Sequence, residues 1–186
     1  MSIIISEKTD EIQWNVIKKV IDKSHEDLRI KKNIIFKATP TDVDAIKEKI
    51  GEKGRCFVAS DDKKVCGTVS VGIEKLNYLK HSYKIARIRY VAVLPEYQGR
   101  HIATMLLRKS IEWCGIHGYD MICVSTRADN DAAIYLYRKM GFRMAHYYKV
   151  EDYYCVFMIK DSKNIIPPIL YSIKYYSEKF FLKFKI

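Results

Sequence analysis

Val91-Ala92-Val93-Leu94-Pro95-Glu96-Tyr97-Gln98-Gly99-Arg100-His101-Ile102-Ala103 runs from an apolar strand end, through a short loop, into the start of a helix. The first turn of a helix has unpaired N–H groups and the positive end of the peptide dipole. Together they form a site suited to a pyrophosphate. Gly99 allows close approach of backbone to a ligand, Ala103 is small enough to pack beneath one, and Arg100 adds positive charge. Taken alone, a strand, loop and helix with one glycine is equally an ordinary structural turn.

Working outward, Lys84–Val93 reads as a long strand rich in Ile, Val and Tyr, broken by Leu94-Pro95. A helix follows over about 101–114, with Ile102, Met105, Leu106 and Ile111 facing a core, and Gly118 marks its exit. Tyr119–Thr126 is the next strand. Asn130–Met140 is a helix stopped by Gly141, where a left-handed cap is wanted. Phe142–Val150 and Asp152–Ile159 form a closing hairpin. Upstream, Ser2–Ser6 reads as a strand, and Thr9 to about Arg29 as a helix with Ile12, Val16, Val20 and Ile21 on one face. A short helix lies between Thr41 and Gly51. Arg55–Ser60 and Val65–Ile73 form a hairpin around Asp61-Asp62-Lys63-Lys64. The order is strand, helices, three strands, helix, strand, helix, two strands. It predicts an α/β fold with a mixed sheet and helices on both faces.

The second chemical constellation is Asn130-Asp131-Ala132-Ala133-Ile134-Tyr135-Leu136-Tyr137-Arg138-Lys139-Met140-Gly141-Phe142. Asn130 suits a helix cap. Asn130, Ala133 or Ile134, and Tyr137 fall on one helix face, whereas Tyr135 points elsewhere. Amine attack on a thioester expels a thiolate, which leaves more readily when protonated. A tyrosine, with an ordinary pKa near 10, stays protonated at neutral pH and can donate that proton. Tyr137 is therefore the candidate general acid; the competing reading is a packed core aromatic.

These two runs resemble motifs A and B of the GNAT N-acetyltransferases. Motif A is Gln/Arg-x-x-Gly-x-Gly/Ala; Gln98 fills its first position and Ala103 its last, and His101 stands where the inner glycine is expected. Motif B is Asn-x-x-Ala-x-x-x-Tyr-x-x-x-Gly-Phe. The resemblance is strong over about residues 84–160. It implies a mostly antiparallel central sheet of about seven strands and acetyl-CoA as co-substrate, with no metal. It implies a cofactor site of Val91, Ala92, Val93, Gln98, Gly99, Arg100, His101, Ile102, Ala103, Asn130 and Tyr137. In this family the central strand splays from its neighbour so that pantetheine pairs with free strand backbone, a role that falls here on Val91 and Val93. A backbone N–H there would also steady the oxyanion. The implied reaction is transfer of acetyl to a primary amine of a small molecule or peptide, by direct attack in a ternary complex. A CoA-binding module without turnover is the alternative, motivated by His101 and by the absence of a carboxylate on the central strand, which carries Arg87 and Arg89 instead. Glu74, Glu96, His81 or a water relay remain open as general base. Arg138 and Lys139 are either contacts to an outer phosphate or a solvated helix face.

Length and composition bound the rest. The 186 residues, 48% of them hydrophobic, suit one globular domain, placed at 1–160, with a C-terminal extension over 161–186. The net charge of +11 comes from lysines and arginines, with the lysines scattered along the whole chain, and no nucleic-acid recognition motif accompanies it. Five cysteines without C-x-x-C spacing read as buried free thiols in a reducing cytosol. The apolar run at Ile3-Ile4-Ile5 is too short for a signal peptide or a membrane span, so a cytoplasmic location is expected. After Pro168 the residues Ile169, Ile173, Tyr176, Phe180 and Phe184 recur at helical spacing among lysines. That stripe is expected to pack on its own domain or in a homodimer; peripheral contact with an anionic membrane is the alternative.

Overall fold

The strand that ends at Leu94-Pro95 is the middle of the sheet. The computed structural model describes residues 2–34, 39–78, 81–150 and 152–161; the amphipathic stripe after Pro168 lies outside them. In chain order the elements are β1 (Ile3–Glu7), α1 (Trp14–Lys32), α2 (Val43–Ile50), β2 (Arg55–Asp61), β3 (Lys64–Tyr78), β4 (His81–Val93), α3 (Ile102–Ile116), β5 (Met121–Arg127), α4 (Asp131–Lys139), β6 (Arg143–Val150) and β7 (Tyr153–Asp161). Seven strands form one sheet in the order β1-β2-β3-β4-β5-β7-β6. Every neighbouring pair is antiparallel except β4 and β5, which α3 joins as a crossover. The closing hairpin forms as its sequence predicts. Its second strand, β7, inserts between β5 and β6, so β6 becomes the sheet edge.

Two glycines on β3 show that the helices lie on both faces. A Cβ on Gly67 would meet Ile102 and Leu106 of α3 at 3.0 and 3.1 Å. A Cβ on Gly72 would meet the carbonyl oxygen of Lys49 in α2 at 2.6 Å. Their odd separation along a strand places them on opposite faces. Each helix therefore sits closely on the sheet at a point where β3 has no side chain.

The first helix starts later than its sequence suggests. Residues 10–12 are turn and bend, and α1 begins at Trp14. Its core stripe is Ile17, Val20, Ile21 and Ser24, all buried, whereas Val16 is 40% exposed. The stripe begins one residue later than Val16 because helical spacing runs from Ile17 through Val20 and Ile21. The cap of α2 is Asp42, whose Oδ1 accepts from the Ala45 N–H at 2.8 Å. In α3, Ile102, Leu106, Leu107 and Cys114 are buried, while Met105 and Ile111 pack at the margin. Side chains such as Phe57, Ile17, Leu106 and Met158 are fully enclosed, each contributing on the order of 2 kcal/mol of apolar burial. All five cysteines are buried and free.

Candidate active site

The site begins with a break in the sheet. Strands β4 and β5 pair only at Ile85–Met121, Ala86–Ile122 and Arg87–Cys123. From Ile88 and Val124 onward they no longer pair with each other. On its other side β4 carries a bulge. Thr68 faces Ala92 and Ser70 faces Arg89, so Tyr90 and Val91 together stand opposite Val69. Tyr90 adopts the left-handed region, with φ 52°, a conformation that costs a side-chain-bearing residue about 1 kcal/mol or more. A bulge increases local twist and re-aims the chain. The result is a cleft of about 690 Å³ between the parted strands, lined by Val91 and Val93 on one side and by Val124, Ser125 and Thr126 on the other.

At one end of the cleft lies the loop before α3. Pro95–Tyr97 make a single 3-10 turn, and Gly99 then takes φ 78°. His101, at the helix start, takes φ 59°, the left-handed region that a glycine would occupy freely. Its side chain is exposed. No side chain caps the helix, so its first-turn N–H groups are available to an anion. No heavy atom lies within 4 Å of a Cβ built on Gly99, which leaves its backbone open to a ligand.

The α4 side presents the second constellation. Asn130 is buried; its Oδ1 accepts from the Ala133 N–H and its Nδ2 donates to Thr126 Oγ1, each at 3.4 Å. Tyr137 is buried to 6% exposure, and burial alone pushes its phenol pKa well above the ordinary value. Tyr135, two residues earlier, is 69% exposed. Arg138 and Lys139 are exposed.

The fold thus brings Val91, Val93, Gln98, Ala103, Asn130 and Tyr137 to one cleft. Ala92 and Ile102 are buried in the core, at 1% and 2% exposure, so they can offer a ligand only backbone. Gly99, Arg100 and His101 are exposed on the loop beside the cleft. The Arg100 guanidinium lies over the Tyr97 ring, 5.1 Å from its centroid. Gln98 donates to Asp27 of α1 at 3.0 Å, tying the loop to that helix.

The cleft lining is strongly cationic. Lys31, Lys49, Arg87 and Arg89 belong to it, with Asp27 as a lining carboxylate bonded to Lys31 at 2.8 Å. Glu74 is engaged by both strand arginines and does not line the cleft; Glu96 pairs with Lys64 on the outside, at 3.2 Å. One lining residue that sequence reading overlooked is His25, whose Nδ1 lies 2.7 Å from Thr39 Oγ1. Burial pulls its pKa down to about 4, so it is neutral at pH 7. Its signal was weak, a single histidine on the inner side of an amphipathic helix. Among the described residues no group of His, Cys, Asp and Glu gathers as for a metal ion, and no helix is long and apolar enough to cross a membrane.

A mixed sheet parted between β4 and β5, with an uncapped helix start at the opening and a tyrosine-bearing helix beside it, is a mixed α/β architecture of the kind found in acetyltransferases of the GNAT family. The Acetyltransferase (GNAT) family profile matches residues 21–142, and the chain belongs to that family. Among similar proteins, N-alpha-acetyltransferase 30 of Schizosaccharomyces pombe is 32% identical over 98 residues, 53% of this chain and 62% of that protein. N-alpha-acetyltransferase RimI of Mycobacterium tuberculosis is 35% identical over 79 residues, 40% of this chain and 48% of its own length. The chain therefore spans about half to three fifths of these relatives. Among solved structures, a chain of the NatC complex bound to Gag peptide and CoA superposes with a TM-score of 0.69 at 21% identity, covering 87% of this chain and 99% of that one. At that identity the likeness is one of fold.

Proposed function

We propose that this chain moves an acetyl group from acetyl-CoA to a primary amine, and that the amine is the α-amine of a peptide. The observation that carries the reading is the parting of β4 from β5, which opens a cleft with Val91 and Val93 on one wall and Tyr137 on the other. The freed edge of β4 fits a pantetheine arm, and the open loop at Gly99 with the uncapped start of α3 fits a pyrophosphate. Acetyl-CoA supplies an acetyl group activated as a thioester. His101 does not close the loop, since its backbone already takes the left-handed form and its side chain is exposed. That weakens the reading as a binding module without turnover.

The chain's own residues account for the proton traffic. The amine nitrogen forms a bond to the acetyl carbon, and the carbon–sulfur bond breaks. Tyr137 gives its proton to the leaving sulfur and recovers one from the amine through water. Burial keeps the phenol protonated at neutral pH. Among the described lining residues the one carboxylate, Asp27, is held by Lys31 and is not free to act as a base. An acceptor that is already partly neutral suits such a site. A peptide α-amine, with a pKa near 8, is partly neutral at pH 7, whereas a lysine side chain near 10.4 is almost wholly charged. The cations around the cleft favour the neutral amine further. The names of the curated relatives point the same way.

The test is thiol release from acetyl-CoA with peptides whose α-amine is free or blocked, each carrying an internal lysine. Release with the free α-amine alone is expected, and kcat/KM should rise as that amine deprotonates. Equal release from the blocked peptide would overturn the α-amine assignment. Acetyl-CoA binding by calorimetry, with no release from any amine, would favour the binding module.

A further inference from the structure

Two arginines of the cleft wall share one carboxylate. Arg87 donates from Nε to Glu74 Oε1 at 2.5 Å and from Nη2 to Oε2 at 3.1 Å. Its side chain is 5% exposed and its guanidinium stacks over Phe157, 5.6 Å from the centroid. Glu74 therefore answers Arg87 with both oxygens. Arg89 is served less well. Its Nη2 reaches the same Oε1 at 3.1 Å, and its Nε is buried without a hydrogen-bond partner. Burial, with Arg87 beside it, pulls its pKa down. Its side chain is 26% exposed and lines the cleft. Gly72 makes room for it, since a Cβ there would lie 3.2 Å from Arg89 Nε.

Lys49, exposed on the last turn of α2, lines the same wall. Asp27 offsets Lys31 and Glu74 offsets one arginine, which leaves the wall positively charged. Glu48 of α2 is exposed and does not line the cleft. A partly buried guanidinium whose Nε lacks a partner and whose Nη2 acceptor is shared with Arg87 is a costly arrangement unless an anion completes it. Arginine's planar fork matches a carboxylate.

We propose that the acceptor carries a carboxylate close to its reacting amine, and that Arg89, assisted by Lys49, binds it. The inference rests on the acetyl-transfer reading and narrows its substrate class. The carboxylate can come from an acidic side chain near a peptide N-terminus or from the α-carboxylate of a free amino acid.

Amidated peptides differing only in Asp, Asn or Lys at the second residue separate the cases, together with the free amino acid that begins them. With wild-type protein, kcat/KM on the Asp peptide should exceed that on the Asn peptide by about tenfold, carried by KM, with the Lys peptide poorest. In Arg89→Gln the ratio of Asp to Asn should fall to about twofold or less. Lys49→Glu sits on an exposed turn, so it tests the same preference without disturbing the core, and it should lower the ratio and improve the Lys peptide. A free amino acid that outperforms the Asn peptide would assign the carboxylate to the main chain. Equal rates on Asp and Asn peptides, with no advantage for the free amino acid, would overturn the proposal. So would an Asp preference intact in both variants, or in Lys49→Glu alone should Arg89→Gln fail to fold. If no acceptor releases thiol, it is the transfer reading that has failed. Calorimetry of Asp and Asn peptides on the protein with acetyl-CoA then still decides whether Arg89 selects an acid.

Discussion

The ring of Tyr137 meets that of Phe142 edge to face, with centroids 6.0 Å apart and planes at 61°. The contact uses the ring and not the hydroxyl, so packing and chemistry can be separated at this residue. Tyr137→Phe should keep the edge-to-face contact and melt within a few degrees of wild type. Turnover should fall by roughly 10–10³-fold with acetyl-CoA affinity nearly intact. Steady-state kinetics beside a thermal melt check both halves. Unchanged turnover would mean that Tyr137 only packs, or that water protonates the thiolate.

The loop before α3 can be disabled without unfolding the domain. Gly99 has φ 78° and open space around its Cβ position, so Gly99→Val strains the backbone but meets no protein atom. Combined with Arg100→Ala, it should cut acetyl-CoA affinity tenfold or more, on the order of 1.5–3 kcal/mol, by blocking backbone approach and removing a positive charge. Calorimetry measures this directly. Normal affinity in the double variant would show that the phosphates are held elsewhere.

His101 holds a left-handed conformation with φ 59°, at a cost of about 1–2 kcal/mol for a residue with a side chain. Glycine removes that cost and adds about 0.5–1 kcal/mol of backbone entropy. His101→Gly should therefore leave stability unchanged or raise it by up to about 1.5 kcal/mol. His101→Val, β-branched at positive φ, should lower it by more than about 1 kcal/mol. Thermal melts of the pair give the sign; a stabilised Val variant would contradict the backbone geometry.

His25 should make the protein sensitive to mild acid. Its pKa falls from about 6.5 to about 4 on folding, chiefly through burial, with Asp22 opposing and Lys18 assisting. Between these values the unfolded chain binds the extra proton, so stability rises with pH. The contribution is complete above pH 6.5 and is lost as pH falls through 4. It amounts to at most about 3 kcal/mol. Replacing His25 by Gln should flatten the dependence of Tm on pH across that window. The carboxylates Glu26 and Asp27, whose pKa values are held low by Arg29 and Lys31, act at more acidic pH. An unaltered slope in the variant would show that His25 is not the group responsible.

Much of this protein is local in origin, and local features are legible in a sequence. The element order, the caps at Asn130 and Gly51, the break at Leu94-Pro95 and the positive φ at Gly99 and Gly141 depend on residues within a few positions of each other. So does the shared helix face of Asn130 and Tyr137, because helical periodicity alone aligns them. The start of α1 was less legible. Ile12 and Val16 satisfy an apolar spacing, and only docking against the sheet selects Ile17, Val20 and Ile21 as the buried stripe.

What the sequence by itself determined is the set of parts: a glycine-bearing loop before a helix, a tyrosine on a helix capped by Asn130, and a strand with two arginines where an acid was sought. Tertiary structure alone decided how they meet. Pairing of β4 with β5 ends at Arg87 and Cys123, residues 36 positions apart in the chain, and the bulge at Tyr90 and Val91 exists only against Val69 of β3. Glu74 could be read as a base until β3 laid it across Arg87 and Arg89. His25 gained its place only when α1 closed over the cleft. Periodicity and capping are near-neighbour effects, whereas strand register, ion pairing across strands and burial of a titratable group depend on distant segments packing together.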